Sequence, residues 1–268
     1  MADVYGQDVQ THWSRFDVSA RIEEYVLSRV IREQFPDPTA VVADIGGGNG
    51  RHAFRLAGEG YAVWLCDVVE EMAADAQQRN ASAAAPLACA TVADARALPW
   101  ECGFADAALV LGPMYCLPDQ ESRRQALNEL ARILKPGAPA LIQYFTRISG
   151  LRWILEAAPA SVGLFAWGSY LETGVLLDGH IPGELRAHYF STEDSAVAEV
   201  GDAGLTVVDV RGMDGPAPSV GQRNLMRAPR AIVQQWGEIA YHVGGIRDYR
   251  SASTHLLLTV QKPTETRK

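Results

Sequence analysis

Val41-Val42-Ala43-Asp44-Ile45-Gly46-Gly47-Gly48-Asn49-Gly50 is the stretch that decides how this chain is read. A β-branched and aliphatic run reaches a carboxylate, a glycine-dense turn follows, and a helix-compatible segment from Arg51 to Glu59 begins at once. The order is strand, loop, helix. Glycine tolerates positive φ and lets a ligand approach the backbone, and the helix start behind the turn offers free N–H groups to an anion. A nucleotide-like ligand is expected here.

Working outward, Ile22, Tyr25, Val26, Val30 and Ile31 form the apolar stripe of an amphipathic helix within residues 12–35, stopped by Pro36-Asp37-Pro38. Tyr5, Trp13 and Phe16 precede that stripe and are read either as cover for a ligand or as ordinary packing. After the glycine loop, Tyr61 to Cys66 is a second strand closing on Asp67, at the distance one βαβ unit takes to set two strand ends side by side. A helix over 70–79 carries Glu70 and Glu71 in its first turn, where they suit the helix dipole. A short third strand, Leu87 to Val92, ends at Ala93-Asp94-Ala95. Ala105 to Leu111 is a continuous apolar strand of the buried parallel kind, followed by a helix with Ala126, Leu127, Leu130, Ile133 and Leu134 on one face. A fifth strand, Ala140 to Phe145, completes the alternation of a doubly wound sheet.

Regularity lapses over 146–190, an aromatic-rich stretch read as a mixed helical insertion. Ser191-Thr-Glu-Asp194 has capping-box form and opens a helix to about Ala203. Leu205 to Val210 is a sixth strand, a helix is expected from Leu225 to Val243, and His255 to Val260 is the last strand. The expected organisation is an N-terminal helical lid (1–40), a Rossmann-like core (41–145), a cap insertion (146–190), and a C-terminal part of the core (191–268) with a second insertion over about 211–254.

The 268 residues suffice for one sheet-centred core. A formal net charge of −8 argues against sequence-independent nucleic-acid binding, which needs concentrated Lys and Arg, so a small-molecule partner is expected. No basic region followed by an apolar core is readable at the N-terminus, and no apolar run approaches the roughly 20 residues of a membrane helix. A cytoplasmic location without membrane association is expected, as monomer or homodimer. Cys66, Cys89, Cys102 and Cys116 form no Cys-x-x-Cys pair and are read as thiols in a reducing compartment. With no His/Cys/carboxylate cluster at ligand spacing, no metal is expected.

The glycines stand at 46, 48 and 50, and Arg51 occupies the place of the third glycine of a dinucleotide loop. With Asp44, Asp67 and Asp94 on three successive strand ends, residues 41–145 resemble the class I S-adenosylmethionine-dependent methyltransferases. Gly46-Gly-Gly-Asn-Gly50, Asp94-Ala95, Leu111-Gly-Pro-Met-Tyr115 and Leu134-Lys-Pro-Gly137 match a bacterial small-molecule branch of that family, and Ala187-His-Tyr-Phe-Ser-Thr192, Gly212-Met-Asp-Gly-Pro216 and His255-Leu-Leu-Leu look like it too. The resemblance implies a seven-stranded, mostly parallel sheet whose final strand inserts antiparallel near one edge, with helical cap insertions. S-adenosylmethionine would lie across the strand ends, leaving S-adenosylhomocysteine as product. Gly46 and Gly48 would face its amino-acid part, Asp67 its ribose and Asp94 with Ala95 its adenine, Val68 and Leu111 would sandwich the base and the sulfonium side, and Asp44 and Asn49 would belong to the same cofactor site.

Transfer of a sulfonium methyl to an O or N atom needs chiefly in-line approach and exclusion of water, and a base only when the nucleophile arrives protonated. Tyr115, in the loop after the fourth strand, is the first catalytic candidate, with loop packing as the competing reading. His188 and His180 in the cap are the next. Tyr5, Trp153, Tyr170 and Tyr189 are candidates to line the acceptor pocket, against the alternative that the cap residues form a small core of their own. His255 is read as structural. A non-methylating reaction of the same cofactor and a non-catalytic binder of it remain as alternatives.

Overall fold

The computed structural model describes residues 9–35, 37–157, 159–163, 166–176, 187–215, 225 and 228–264, with side chains of the first helix described from Arg21 on. Helix α1 (Val9–Gln34) leads into β1 (Val41–Ile45), α2 (Arg51–Gly58), β2 (Ala62–Asp67), α3 (Glu70–Asn80) and β3 (Cys89–Val92). Then come β4 (Ala107–Val110), α4 (Pro113–Cys116), α5 (Gln120–Ile133) and β5 (Pro139–Thr146). The cap holds α6 (Arg147–Ala157), a 3-10 turn, α7 (Trp167–Thr173), β6 (Val175–Leu176) and β7 (His188–Ser191). The chain continues through α8 (Glu193–Asp202), β8 (Thr206–Gly212), α9 (Arg230–Gly244), α10 (Arg247–Arg250) and β9 (His255–Gln261).

The sheet runs β3-β2-β1-β4-β5, and β9 joins β5 antiparallel with β8 beyond it. These are the seven strands the resemblance implies, with the last one antiparallel near the edge. The sheet has nine strands, because the cap contributes two. Parallel β7 joins the far end of β5 through Phe145 and Thr146, and β6 pairs antiparallel with β7. The cap is therefore not purely helical: Tyr189 and Phe190 carry aromatic rings that suit a pleated surface, and β5 is long enough to accept a partner after β4 has ended. The chain reverses its order between β1 and β4, which opens a crevice at the strand ends.

Alternation along the strands builds two cores. Val42, Val63, Leu109, Leu141 and Leu257 face Val26, Val30 and Ile31 of α1 and Leu56 of α2. Ala43, Ala108, Val110, Ile142 and Leu258 face Leu127 and Leu130 of α5 and Val200 of α8. Among the described residues no helix is long and apolar enough to cross a membrane. The α8 cap falls one residue later than the sequence pattern implies: the Thr192 hydroxyl accepts from the Ser195 N–H at 3.1 Å.

One buried ion pair fixes the α4–α5 turn to α8. Arg123, on α5, makes a two-pronged contact with Glu199 at 2.8 and 3.0 Å, donates to the Leu117 and Pro118 carbonyls at 2.9 Å, and lies 3.5 Å over the Tyr189 ring. Removing one partner leaves a buried charge unmatched, which costs about 3–5 kcal/mol. Glu199→Ala is expected to lose about 3 kcal/mol in urea unfolding, whereas a loss below about 0.5 kcal/mol, the surface-substitution range, would show that the pair contributes little.

Candidate active site

The glycine loop turns tightly because alternate residues are left-handed: φ is 70° at Gly46, 58° at Gly48 and 89° at Gly50. Any Cβ at Gly46 would meet the Pro113 ring at 2.6 Å, so the loop can close on α4 only as glycine. At Gly47 a Cβ would strike the Asp44 carboxylate at 2.7 Å. The loop is thus packed against the acid that precedes it and the proline that faces it.

These groups border a cavity of 510 Å³ at the strand ends, within the size range of small-molecule sites. Asp67, at the end of β2, accepts from the Gly48 N–H and the Val69 N–H, both at 2.8 Å. Burial pushes its carboxyl up, while those N–H bonds pull the other way. Asp44 is 2% exposed, and its Oδ2 has no hydrogen-bond partner among the described residues. Burial first, and then the Asp67 charge, push its carboxyl up to about 7. Asp94 also borders the cavity, with its carboxylate gripped by the Arg96 side chain at 2.6 and 3.0 Å, which holds it below its ordinary value. Gly46, Val68, Ala95, Leu111 and Tyr115 line the same space.

Several expected residues lie elsewhere. Asn49 is 7% exposed and absent from the cavity wall; it sits behind the loop, where its carbonyl accepts from Arg79 at 2.8 Å. His188 is buried in the cap among Trp153, Phe145 and Phe190, with ring centroids 5.5–6.4 Å away, and does not reach the cavity. Tyr170 donates to the Arg147 carbonyl at 2.5 Å and packs with Ile154, Leu176 and Phe190. Tyr189 points to the opposite face of its strand, into the main core beneath Arg123. Trp153, Tyr170 and Tyr189 therefore build the cap and its seam with the sheet, and the packing alternative holds for all three: apolar rings on a short ribbon bury one another first. Tyr5 and His180 lie outside the described residues.

Other residues occupy the wall instead. Glu23 and Glu24 reach it from α1, His52 and Arg51 from α2, Gln143 from β5, Met213 from the end of β8 and His255 from the start of β9. Glu24 draws Arg55 to 3.3 Å, Arg51 to 3.6 Å and His52 to 3.7 Å. Arg51, the residue that breaks the dinucleotide pattern, thus helps to bind α1 to the glycine loop. Desolvation pushes the His52 imidazole down. His255 Nδ1 lies 2.7 Å from Glu23 Oε1. Its ring stacks on Phe145, centroids 4.6 Å apart, and Phe145 lies 4.2 Å from Tyr115. The Tyr115 hydroxyl donates to the Leu111 carbonyl at 3.0 Å.

A doubly wound sheet with an antiparallel final strand, a glycine loop after β1, and acids at the ends of β1 and β2 is a Rossmann-like arrangement similar to that of S-adenosylmethionine-dependent methyltransferases. Residues 42–137 match the family model described as a methyltransferase domain. The chain is 31% identical to the ubiquinone/menaquinone biosynthesis C-methyltransferase of Bordetella parapertussis over 144 residues, 51% of this chain and 54% of that protein. It is 34% identical to the tRNA (carboxymethyluridine(34)-5-O)-methyltransferase of Mus musculus over 103 residues, 38% of this chain and 14% of that one. The chain thus spans about half the length of the bacterial relative and a smaller part of the mammalian one. Among solved structures, an S-adenosylmethionine-dependent methyltransferase of Methanosarcina mazei shares the fold with a TM-score of 0.63 at 18% identity, over 88% of this chain and 98% of that one.

The Asp44 environment carries a pH signature. A carboxyl whose folded pKa lies above its unfolded value, about 3.9, binds its proton more tightly when folded. Its contribution therefore falls as pH rises from about 4 to about 7 and levels off above. Ligand-free Asp44→Asn is expected to exceed the parent in stability by on the order of 1–4 kcal/mol above pH 7, with the difference shrinking toward pH 4. Parallel stability curves for the two proteins in urea titrations across that window would remove the assignment.

Proposed function

We propose that this chain transfers a methyl group from S-adenosylmethionine to an O or N atom of a small-molecule metabolite, releasing S-adenosylhomocysteine. The observation that carries the reading is the pair of acids on one cavity, Asp67 fixed by two backbone N–H groups and Asp44 with a buried oxygen that lacks a partner among the described residues. The residues suit the cofactor. The unmatched Asp44 oxygen complements the ammonium of its amino-acid part, beside the backbone of Gly46 and Gly48. Asp67 retains acceptor capacity for two ribose hydroxyls. Ala95 and Asp94 take the adenine end, where Arg96 shares the Asp94 carboxylate, and Val68 and Leu111 supply apolar cover.

Bound S-adenosylmethionine supplies an activated methyl carbon. What the chain adds is alignment and dryness. Helix α1 closes the cavity through Glu23, Glu24 and Leu27, and the Tyr115 ring offers a π-face to positive charge, a contact worth about 0.5–2 kcal/mol. A small acceptor is favoured over nucleic acid by the net charge of −8 and by the acids in the cavity wall. Four free thiols suit a cytoplasmic location.

Two measurements test this reading. Incubation with S-adenosylmethionine and a panel of phenols, hydroxy acids and amines is expected to generate S-adenosylhomocysteine with at least one of them; cofactor binding without that product across the panel would favour a non-methylating role. Asp67→Ala is expected to weaken S-adenosylhomocysteine binding by more than about tenfold, 1.4 kcal/mol, in calorimetry. An unchanged dissociation constant would strip Asp67 of its ribose role.

A further inference from the structure

The acceptor side of the cavity holds a side-chain pair that the reading above leaves without a task. Helix α1 brings Glu23 to the sheet, and β9, running antiparallel to β5, starts at the rim where the parallel strands end. The register sets His255 beside Phe145, which packs against both His255 and Tyr115, and it is the Tyr115 and His255 rings that line the cavity. The Glu23 carboxylate accepts only, so the 2.7 Å contact fixes the His255 proton on Nδ1 and leaves Nε2 as the basic nitrogen. This is a base held in one tautomer by a buried acid.

We propose, resting on the methyltransferase reading, that His255 is the general base of the reaction, with Glu23 as its positioning residue, and that the acceptor is a planar phenol or enol methylated on oxygen. Three observations lead there. The pair lies on the cavity wall, its contact buried on both sides, at 9% and 14% side-chain exposure. Two rings, Tyr115 and His255, line this side of the cavity with centroids 6.2 Å apart, which suits a planar ring in offset or edge-on contact. And a phenolic or enolic O–H is a poor nucleophile until its proton leaves, whereas a neutral amine can attack unaided, so a preorganised base has most effect on the hydroxyl.

The charges around the ring agree. Burial alone would depress the imidazole, but Glu23 and then Asp214 hold it above its ordinary value. Asp214 accepts from the Thr254 N–H at 2.9 Å and its hydroxyl at 2.5 Å, and the Tyr115 ring faces His255 from α4 at 6.2 Å. His52, on the opposite wall, is pushed the other way. Of the two cavity histidines, only His255 combines raised basicity with a carboxylate that orients it.

In the step itself, the acceptor O–H bond breaks with its electron pair left on oxygen and its proton on Nε2. The oxygen pair forms the new O–CH3 bond, and the pair of the broken carbon–sulfur bond stays on sulfur. The proton then passes from His255 to solvent as product leaves.

The test uses 4-nitrophenol, whose phenolate absorbs in the visible, with protein saturated with S-adenosylhomocysteine so that no turnover intervenes. At a pH where the free probe is mostly protonated, the ionised-to-protonated ratio of bound probe is expected to be about tenfold above that of free probe, one pKa unit. His255→Gln should abolish that rise, Glu23→Gln should cut most of it, and Glu23→Asp should restore part. Calorimetry with S-adenosylhomocysteine checks that each variant keeps the cofactor site; should His255→Gln fail to fold, the two Glu23 variants carry the comparison. Absence of probe binding, binding without ionisation, or equal ionisation in His255→Gln would overturn the assignment of base and acceptor class while leaving the methyltransferase reading in place. Failure of the parent protein to bind S-adenosylhomocysteine would overturn both.

Discussion

The Asp67 carboxylate is the hinge of the site. One oxygen accepts the Gly48 N–H and the other the Val69 N–H, so a single side chain ties the glycine loop, the end of β2 and the start of α3 into one rim. Each bond is charge-assisted and sheltered, the stronger kind of hydrogen bond in proteins. The loop depends on it, because a run with left-handed residues at Gly46, Gly48 and Gly50 has no side-chain packing of its own to hold its shape. Asp44 depends on it in turn, since the loop closed over that acid removes it from water and the Asp67 charge discourages its ionisation.

Helix α1 completes the rim from the other direction. Its inner face carries ordinary core residues, Val26, Val30 and Ile31, and at the level of the strand ends the same face turns polar with Glu23 and Glu24. Glu24 is drawn to Arg51 and Arg55 at the start of α2, and Glu23 to His255 at the start of β9. The outer flank is held by α9, where Tyr25 donates to Glu238 at 2.7 Å and Tyr241 to Glu33 at 2.5 Å. One helix is thereby fixed to three elements far apart in sequence. Closure of the cavity by α1 is part of the fold.

The glycine-loop half of the cavity is legible in the sequence because it is local. Asp44, Gly46, Gly48, Asp67 and Asp94 follow strands whose apolar runs announce them, and a strand end in a parallel sheet has one place to go. Asn49 shows the limit: within a five-residue loop, which side chains face the ligand depends on the φ of each residue, and Asn49 faces back. The opposite wall is made of contacts between distant segments. Glu23 reads as the polar side of an amphipathic helix, and His255 as the first residue of an apolar strand. The one clue lay in topology: a final strand that runs antiparallel begins at the rim where the others end, so its first side chain belongs to the site. The cap aromatics mislead for a related reason. Trp153, Tyr170 and Tyr189 are as apolar as pocket residues, and a short ribbon joined to β5 gives them each other and the sheet to pack on before any ligand.

The distribution of charge follows the same division. Asp44 and Asp214 are buried acids that burial pushes up. The Asp44 Oδ2 has no partner among the described residues, whereas Asp214 is already matched by Thr254. A protein selected for stability alone would replace Asp44 with an uncharged residue, since leaving a buried polar group unmatched is costly. Its presence on the first strand, with Gly47 kept small enough to clear its carboxylate, agrees with the proposed binding of a cationic group there. The imidazole–carboxylate pair on the far wall is already satisfied internally. That asymmetry fits the proposed division of labour, a recognition element left open for a charge and a proton-transfer element set before the acceptor arrives.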